Sequence, residues 1–190
     1  MTNNSSLTKA RQRKNDEYFT PYEAIAAVVN SMPDIFRNKV IYCNCESGGM
    51  SAFTRFFKEN FDALGLEQLI VTGLGSNQSF HKTKDSEYHV THESSGSYAS
   101  PEFQELLEQA DIVITNPPFS SFKDYFSYIL SKKKDFLIVA PVHSLCYKNV
   151  FPFIKDESVW PLRFDRTSGF SRPDGAKQTF GNIVWLTNLG

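Results

Sequence analysis

The residues best suited to chemistry in this chain are Asn116, Pro117, Pro118 and Phe119, which follow an apolar segment at 111–115. The β-branched residues of that segment predict a buried parallel strand. Two consecutive prolines cannot continue a strand ladder, and they hold the residues before them extended. The pattern therefore predicts a rigid corner at the carboxyl end of a strand, where open α/β sheets bind ligands.

This corner suits a flat base that carries an exocyclic amino group. The amide oxygen of Asn116 and the carbonyl of Pro117 can both accept hydrogen bonds from one NH2 group. The ring of Phe119 can stack on the base. An ordinary turn is the alternative, since Asn-Pro is a common turn dipeptide. All four residues together after an apolar strand favour a functional site.

The four residues resemble the catalytic Asn-Pro-Pro-Phe/Tyr motif of amino-group methyltransferases that use S-adenosylmethionine. The chain is more closely similar to the EcoRI-type adenine-N6 DNA methyltransferases, over about residues 15–189. The resemblance implies that Asn116, Pro117, Pro118 and Phe119 are catalytic and that Asn116 also contacts the cofactor, S-adenosylmethionine. The implied reaction is methyl transfer to N6 of adenine in DNA, with the target base flipped out.

A second segment that carries the resemblance precedes a helix predicted over 21–32. Its residues are Tyr18, Phe19, Thr20 and Pro21. Taken alone, they are a well-started helix with Thr20 as the N-cap and Glu23 completing a capping box. In the amino-methyltransferases that they resemble, an aromatic-Thr-Pro segment packs against the methionine end of the cofactor, so the resemblance makes all four cofactor-binding.

A third segment is the predicted first core strand, residues 39–45, followed by a glycine-bearing turn and a helix over about 50–64. This geometry lets a cofactor approach backbone N–H groups. Its Tyr-Cys-Asn-Cys-acid sequence is similar to the matching stretch of the EcoRI-type family, which makes Asn44, Cys45 and Glu46 cofactor-binding. Glu46 would bond the methionine amino group; a solvated loop carboxylate is the alternative.

Two features depart from the family pattern. The predicted second strand, residues 68–72, is followed by glycines and not by the acid that often binds a ribose, so the adenosine contacts stay unassigned. Ser97 occupies the position where the family tends to place an acid facing the cofactor or the adenine, and we expect it to contact the cofactor.

The polar segment 76–100 contains His81, His89 and His92. It has no H-E-x-x-H motif and no nearby cysteine. We therefore expect surface histidines and no metal site.

Strands that alternate with helices, closed by two short strands over 159–164 and 182–187, predict an α/β doubly wound sheet. The resemblance implies a Rossmann-like fold with seven mostly parallel strands and an antiparallel last strand. Further helices are predicted over 101–109, after Ser120-Ser121 and over 143–154. We expect one catalytic domain, residues 15–190, after a flexible basic arm, residues 1–14.

The net charge of −1 conceals an uneven distribution. Residues 1–40, 41–119 and 120–190 carry net charges of +2, −7 and +4. The two basic parts, and the polar loop 165–181 with its arginines and Phe170, could meet DNA. A solvated surface explains the same counts.

The expected partner is DNA, with no metal and no membrane. A cognate restriction enzyme or a separate recognition subunit would also be compatible with the resemblance. No apolar run approaches 18 residues, the N-terminus lacks a signal-peptide core, and three cysteines without a C-x-x-C pair favour reduced thiols. These features predict a cytoplasmic protein.

EcoRI-type enzymes continue beyond the end of this chain, so we expect a minimal relative or a catalytic core that lacks part of the recognition surface. Two alternatives stay open. One is the same chemistry on RNA or on a protein glutamine. The other is a non-catalytic DNA-binding relative with a decayed cofactor site, which Ser97 and the missing ribose acid favour.

Overall fold

A computed structural model describes residues 19–46, 51–94, 100–163, 170–171, 177–178 and 182–190. The helices in these ranges are α1 (Tyr22–Val29), α2 (Ala52–Glu59), α3 (Phe61–Leu64), α4 (Pro101–Gln109), α5 (Phe122–Ser131) and α6 (Phe151–Lys155). The strands are β1 (Val40–Glu46), β2 (Gln68–Gly73), β3 (Gln78–Thr83), β4 (Glu87–Thr91), β5 (Ile112–Thr115), β6 (Asp135–Pro141), β7 (Trp160–Arg163), β8 (Phe170–Ser171), β9 (Lys177–Gln178) and β10 (Ile183–Thr187). Short 3-10 helices cover Pro33–Phe36, Phe119–Ser121 and Val142–Cys146.

The main sheet has the strand order β4-β3-β2-β1-β5-β6-β10-β7. Its centre is parallel, since β1 pairs with β2 and β5, and β5 pairs with β6. The last strand, β10, lies antiparallel between β6 and β7. The predicted α/β Rossmann-like class and the antiparallel last strand are confirmed, although the sheet has eight strands instead of seven.

The strands β3 and β4 form a hairpin within the polar segment 76–100, where no particular element had been predicted. Ser79 and His81 in β3 are buried, and His81 is only 4% exposed. The prediction of surface histidines is therefore wrong for His81, whereas His89 is exposed. Burial is tolerated because the Ser79 hydroxyl contacts Nε2 of His81 at 2.7 Å and Nε2 of His92 at 2.8 Å.

Helices cover both faces of the sheet, as a doubly wound arrangement requires. One core cluster joins α1, α2 and α3 to the sheet, and the other joins α4 and α5 to the opposite face. Side chains on β1 alternate between the two faces, so Ile41 and Cys43 enter the first cluster and Tyr42 enters the second. In the first cluster Trp185 of β10 meets Phe53 edge-on, with ring centroids 6.2 Å apart.

Three helix predictions need correction at their boundaries. The first helix begins at Tyr22 after Pro21, and no side chain caps it. The helix over 50–64 is interrupted at Asn60, between α2 and α3. The segment 143–154 is not one helix but a 3-10 helix followed by α6, with Pro152 in the first turn of α6, where a missing N–H costs least.

The helix over 101–109 has the predicted bounds. In the part of the chain that the structure describes, no helix combines the length and the apolar character needed to cross a bilayer.

Candidate active site

The Asn-Pro-Pro-Phe corner lies at the middle of one edge of the sheet. It follows β5 directly, and all four residues of β5 are buried. Because β5 runs parallel to both neighbours, β1 and β6, the carboxyl ends of these three strands meet at the same edge. The corner therefore occupies the position where open α/β sheets place their ligands.

The two prolines at the corner differ in how their carbonyls are used. The carbonyl of Pro118 accepts hydrogen bonds from Ser121, at 3.0 Å from the backbone N–H and 3.1 Å from the hydroxyl. Ser121 thus closes the turn instead of capping α5 through its side chain. Among the described residues no group donates to the Pro117 carbonyl, and Pro117 itself is buried. Phe119 is half-buried and packs against the first core cluster.

The side chain of Asn116 is oriented by Thr20. Its Nδ2 atom donates to the Thr20 hydroxyl at 3.1 Å, a contact between residues 96 positions apart in the sequence. Thr20 is 4% exposed, so the hydroxyl is held in a buried environment. Because Nδ2 of Asn116 points toward Thr20, the amide oxygen of Asn116 points away from Thr20. Thr20 does not cap α1, since the helix begins at Tyr22 and Pro21 occupies the N-cap position.

Asn44 joins the end of β1 to the elements on either side of the corner. Its side-chain oxygen accepts a hydrogen bond from the Tyr125 hydroxyl at 2.5 Å, and its backbone carbonyl accepts one from the Thr115 hydroxyl. All three residues are buried. Burial raises the pKa of Tyr125 well above its ordinary value, so its hydroxyl stays protonated and able to donate.

Cys45 ends the regular part of β1 in a left-handed conformation, with φ of 63°. The register between β1 and β2 shifts at the same point, between Cys43 and Glu46. Strand alternation would place Cys45 in the cluster that contains Cys43, but it packs in the opposite cluster, with Tyr42. The strand is therefore irregular beside Asn44, at the edge where the corner lies, and it pairs with β2 again at Glu46.

The structure brings together some of the predicted site residues and leaves others outside its described part. Thr20 contacts Asn116, and Asn44 contacts Thr115, the residue that precedes Asn116. Phe19 is 37% exposed beside Thr20. Tyr18, Ser97 and the side chain of Glu46 lie outside the described residues, as does the glycine turn after β1.

Sequence analysis missed two functional candidates, Thr115 and Tyr125. Thr115 lies within the predicted strand 111–115 and Tyr125 within the helix predicted after Ser120-Ser121, and neither was assigned a role. A signal existed for Tyr125, because a buried tyrosine hydroxyl almost always needs a hydrogen-bond partner. Nothing in the local sequence shows that this partner is Asn44.

A cavity of about 430 Å³ lies elsewhere, between α1 and β7. Residues such as Ala27, Met32 and Leu162 line it, and none of the predicted site residues does. The candidate site is therefore defined by the corner and its hydrogen bonds, not by this cavity.

The Rossmann-like sheet with an Asn-Pro-Pro-Phe corner at its carboxyl edge is the arrangement that the resemblance to methyltransferases implied. Residues 6–93 and 76–190 match the family described as adenine-specific methyltransferase EcoRI. The chain belongs to this family.

Individual relatives show the same likeness along nearly the whole chain. The chain is 34% identical to the Type II methyltransferase M.EcoRI of Escherichia coli, over 98% of this chain and 69% of that protein. It is 33% identical to M.MpnI of Mycoplasma pneumoniae and 32% identical to M.MgeORF184P of Mycoplasma genitalium, both named Type II methyltransferases. The chain spans 64% and 65% of the length of these two relatives.

One solved structure, a candidate RNA methyltransferase from Pyrococcus horikoshii, overlaps with 90% of this chain at 15% identity and a TM-score of 0.39. This overlap carries no argument about function. The fold class rests on the strand order of the sheet itself.

Proposed function

We propose that this chain transfers a methyl group from S-adenosylmethionine to N6 of adenine in DNA. The observation that carries the proposal is the hydrogen bond from Asn116 to Thr20, which orients the amide at a corner where the Pro117 carbonyl can also accept. Membership of the EcoRI adenine-specific methyltransferase family supports adenine as the target. The Type II names of the relatives are compatible with DNA as the substrate.

The difficulty in methylating adenine N6 is that its lone pair is delocalised into the ring. Asn116 Oδ1 and the Pro117 carbonyl would each accept one hydrogen of the NH2 group. Two acceptors placed in this way favour a tetrahedral nitrogen, so electron density returns to the lone pair. No strong base is needed if the sulfur–methyl bond breaks as the N6–methyl bond forms and the proton then passes to water.

Much of the acceleration in this scheme comes from position. A rigid Pro-Pro corner and a buried Thr20 hold the two acceptors in place before the base binds. Little conformational entropy is therefore lost when the base binds. Phe119 would stack on the target base after it leaves the duplex.

S-adenosylmethionine, when bound, supplies a methyl group on a positively charged sulfur. The residues at the carboxyl edge fit such a cofactor, because the exposed ring of Phe19 offers an apolar wall beside Thr20. The irregular backbone at Cys45 lies at the same edge, where open α/β sheets bind ligands. We propose Phe19, Thr20, Asn44 and Cys45 as the described residues around the cofactor.

Nucleoside mass spectrometry tests the reaction directly. The purified protein is incubated with S-adenosylmethionine and unmethylated genomic DNA, beside an Asn116→Ala variant. We expect N6-methyladenine with the unaltered protein only, and cofactor affinity in the variant close to that of the unaltered protein.

Two outcomes would contradict this proposal. If the protein binds the cofactor but forms no methyladenine in DNA, DNA is not the substrate, and RNA or protein would be tested next. Absence of both cofactor binding and product would favour a non-catalytic DNA-binding protein.

A further inference from the structure

Tyr125 occupies a position at which packing alone does not require a hydroxyl. It lies on the buried face of α5 with Phe122, Phe126 and Ile129, and all four side chains belong to the second core cluster. A phenylalanine would fill the same volume as the tyrosine ring. The hydroxyl is nevertheless 2.5 Å from the side-chain oxygen of Asn44, 81 residues earlier in the sequence.

Asn44 is held by hydroxyl groups from both sides of the catalytic corner. Thr115, immediately before Asn116, donates to its backbone carbonyl, and Tyr125, on the helix that follows the corner, donates to its side chain. Asn44 is only 3% exposed. If either donor were removed, water could not easily take its place, and the buried acceptor on Asn44 would be left unsatisfied at a cost in free energy. The corner and the end of β1 therefore form one hydrogen-bonded unit.

This unit ends at a strained position. Cys45, directly after Asn44, has a positive φ, which is uncommon for a residue with a side chain. Such a conformation persists only when its surroundings hold it in place. The two donors on Asn44 restrain the residue immediately before this position.

We propose that Tyr125 is a positioning residue, which acts through Asn44 to hold the turn at the end of β1 in the conformation that binds the cofactor. Tyr125 does not itself touch the reacting atoms in this proposal. The inference rests on the proposed function, because it presupposes that S-adenosylmethionine binds at this turn. Its effect falls on cofactor affinity, whereas that of Asn116 falls on turnover.

The test compares Tyr125→Phe with Tyr42→Phe by isothermal titration of S-adenosylmethionine. Tyr42 is a matched control, since it is also buried and its hydroxyl makes one hydrogen bond, to Thr72 at 2.9 Å. We expect the Kd to rise roughly tenfold in Tyr125→Phe, because a buried acceptor loses its donor, and to change less than about twofold in Tyr42→Phe. At saturating cofactor, kcat of Tyr125→Phe should stay within about threefold of the unaltered value.

A second pair of variants addresses the other donor and does not depend on the folding of Tyr125→Phe. Thr115→Val removes the hydroxyl bonded to Asn44, and Thr115→Ser retains it. We expect weaker cofactor binding in the valine variant and near-normal binding in the serine variant. Equal affinity in these two variants would contradict the proposal.

The remaining outcomes separate this inference from the proposed function. Binding by the unaltered protein with an unchanged Kd in Tyr125→Phe would overturn the inference alone, as would an equal loss in Tyr42→Phe. Absence of binding heat with the unaltered protein would overturn the proposed function and this inference with it.

Discussion

Asn116 at the end of β5 donates a hydrogen bond to Thr20 before α1, so the two segments most similar to amino-methyltransferases meet in the folded chain at 3.1 Å. The bond crosses 96 residues of sequence and determines which end of the Asn116 amide faces away from Thr20. If the catalytic role proposed for Asn116 depends on that orientation, Thr20 should control turnover without touching the substrate.

Thr20→Val should lower kcat by about tenfold to a hundredfold, because the amide loses the acceptor that orients it and each factor of ten corresponds to about 1.4 kcal/mol. Thr20→Ser retains the hydroxyl and should keep most of the activity. Steady-state methylation rates with both variants check this prediction, with circular dichroism to confirm folding. Equal activity in the valine and serine variants would show that the bond does not matter for turnover.

Phe119→Ala should weaken the productive binding of DNA, whereas Phe119→Tyr should retain it. The loss of a base-stacking ring costs roughly 1–3 kcal/mol, which corresponds to a rise in KM for DNA of about fivefold to more than a hundredfold. The measurement is KM for an unmethylated duplex at saturating cofactor. A normal KM in Phe119→Ala would argue against contact between this ring and the target base.

The stability of the fold should fall as the pH decreases below about 6.5, the usual pKa of histidine. Burial, and secondarily the neighbouring His92 and His89, lowers the pKa of His81 in the folded protein. The unfolded chain therefore takes up a proton first, and stability present above pH 6.5 is lost as the pH falls toward the lowered pKa.

Urea unfolding at pH 7.5, 6.5 and 5.5 measures this dependence. His81→Gln should have a flatter dependence on pH, although it is less stable at pH 7.5 because it loses contacts with Ser79 and Tyr88. His143→Gln is the control, since His143 is exposed and is not one of the residues that lower the pKa of His81. If the free energy of unfolding of His81→Gln changes with pH as much as that of the unaltered protein, other groups cause the pH dependence.

Trp185→Ala should reduce the free energy of unfolding by about 3–5 kcal/mol, because it leaves a large cavity in the first core cluster. The side chain of Trp185 is fully buried. Phe151→Ala removes another aromatic ring, but that ring is 53% exposed and its loss should cost less than about 1 kcal/mol. Chemical denaturation of both variants gives the comparison, and similar losses would contradict the assignment of Trp185 to the core.

The sequence by itself determined the elements whose causes are local. An apolar segment ended by two prolines could only be a strand that stops, and β5 with its corner lies where that pattern predicts. The helix Pro101–Gln109 likewise has its predicted bounds, since proline at a first helical position and an apolar face are signals within a few residues. The alternation of such segments was sufficient to predict a doubly wound α/β sheet.

Only the tertiary structure decided which polar groups pair with one another. Thr20 resembles an N-cap in the sequence, but its hydroxyl serves Asn116. Ser79 and His81, in a polar segment, become buried in β3, where the Ser79 hydroxyl bonds to His81 and His92. Asn44 and Tyr125, 81 residues apart in the sequence, likewise satisfy each other by a hydrogen bond in the core. Local patterns predict where the chain is helical or extended, but a hydrogen bond between distant residues depends on the whole sheet having formed.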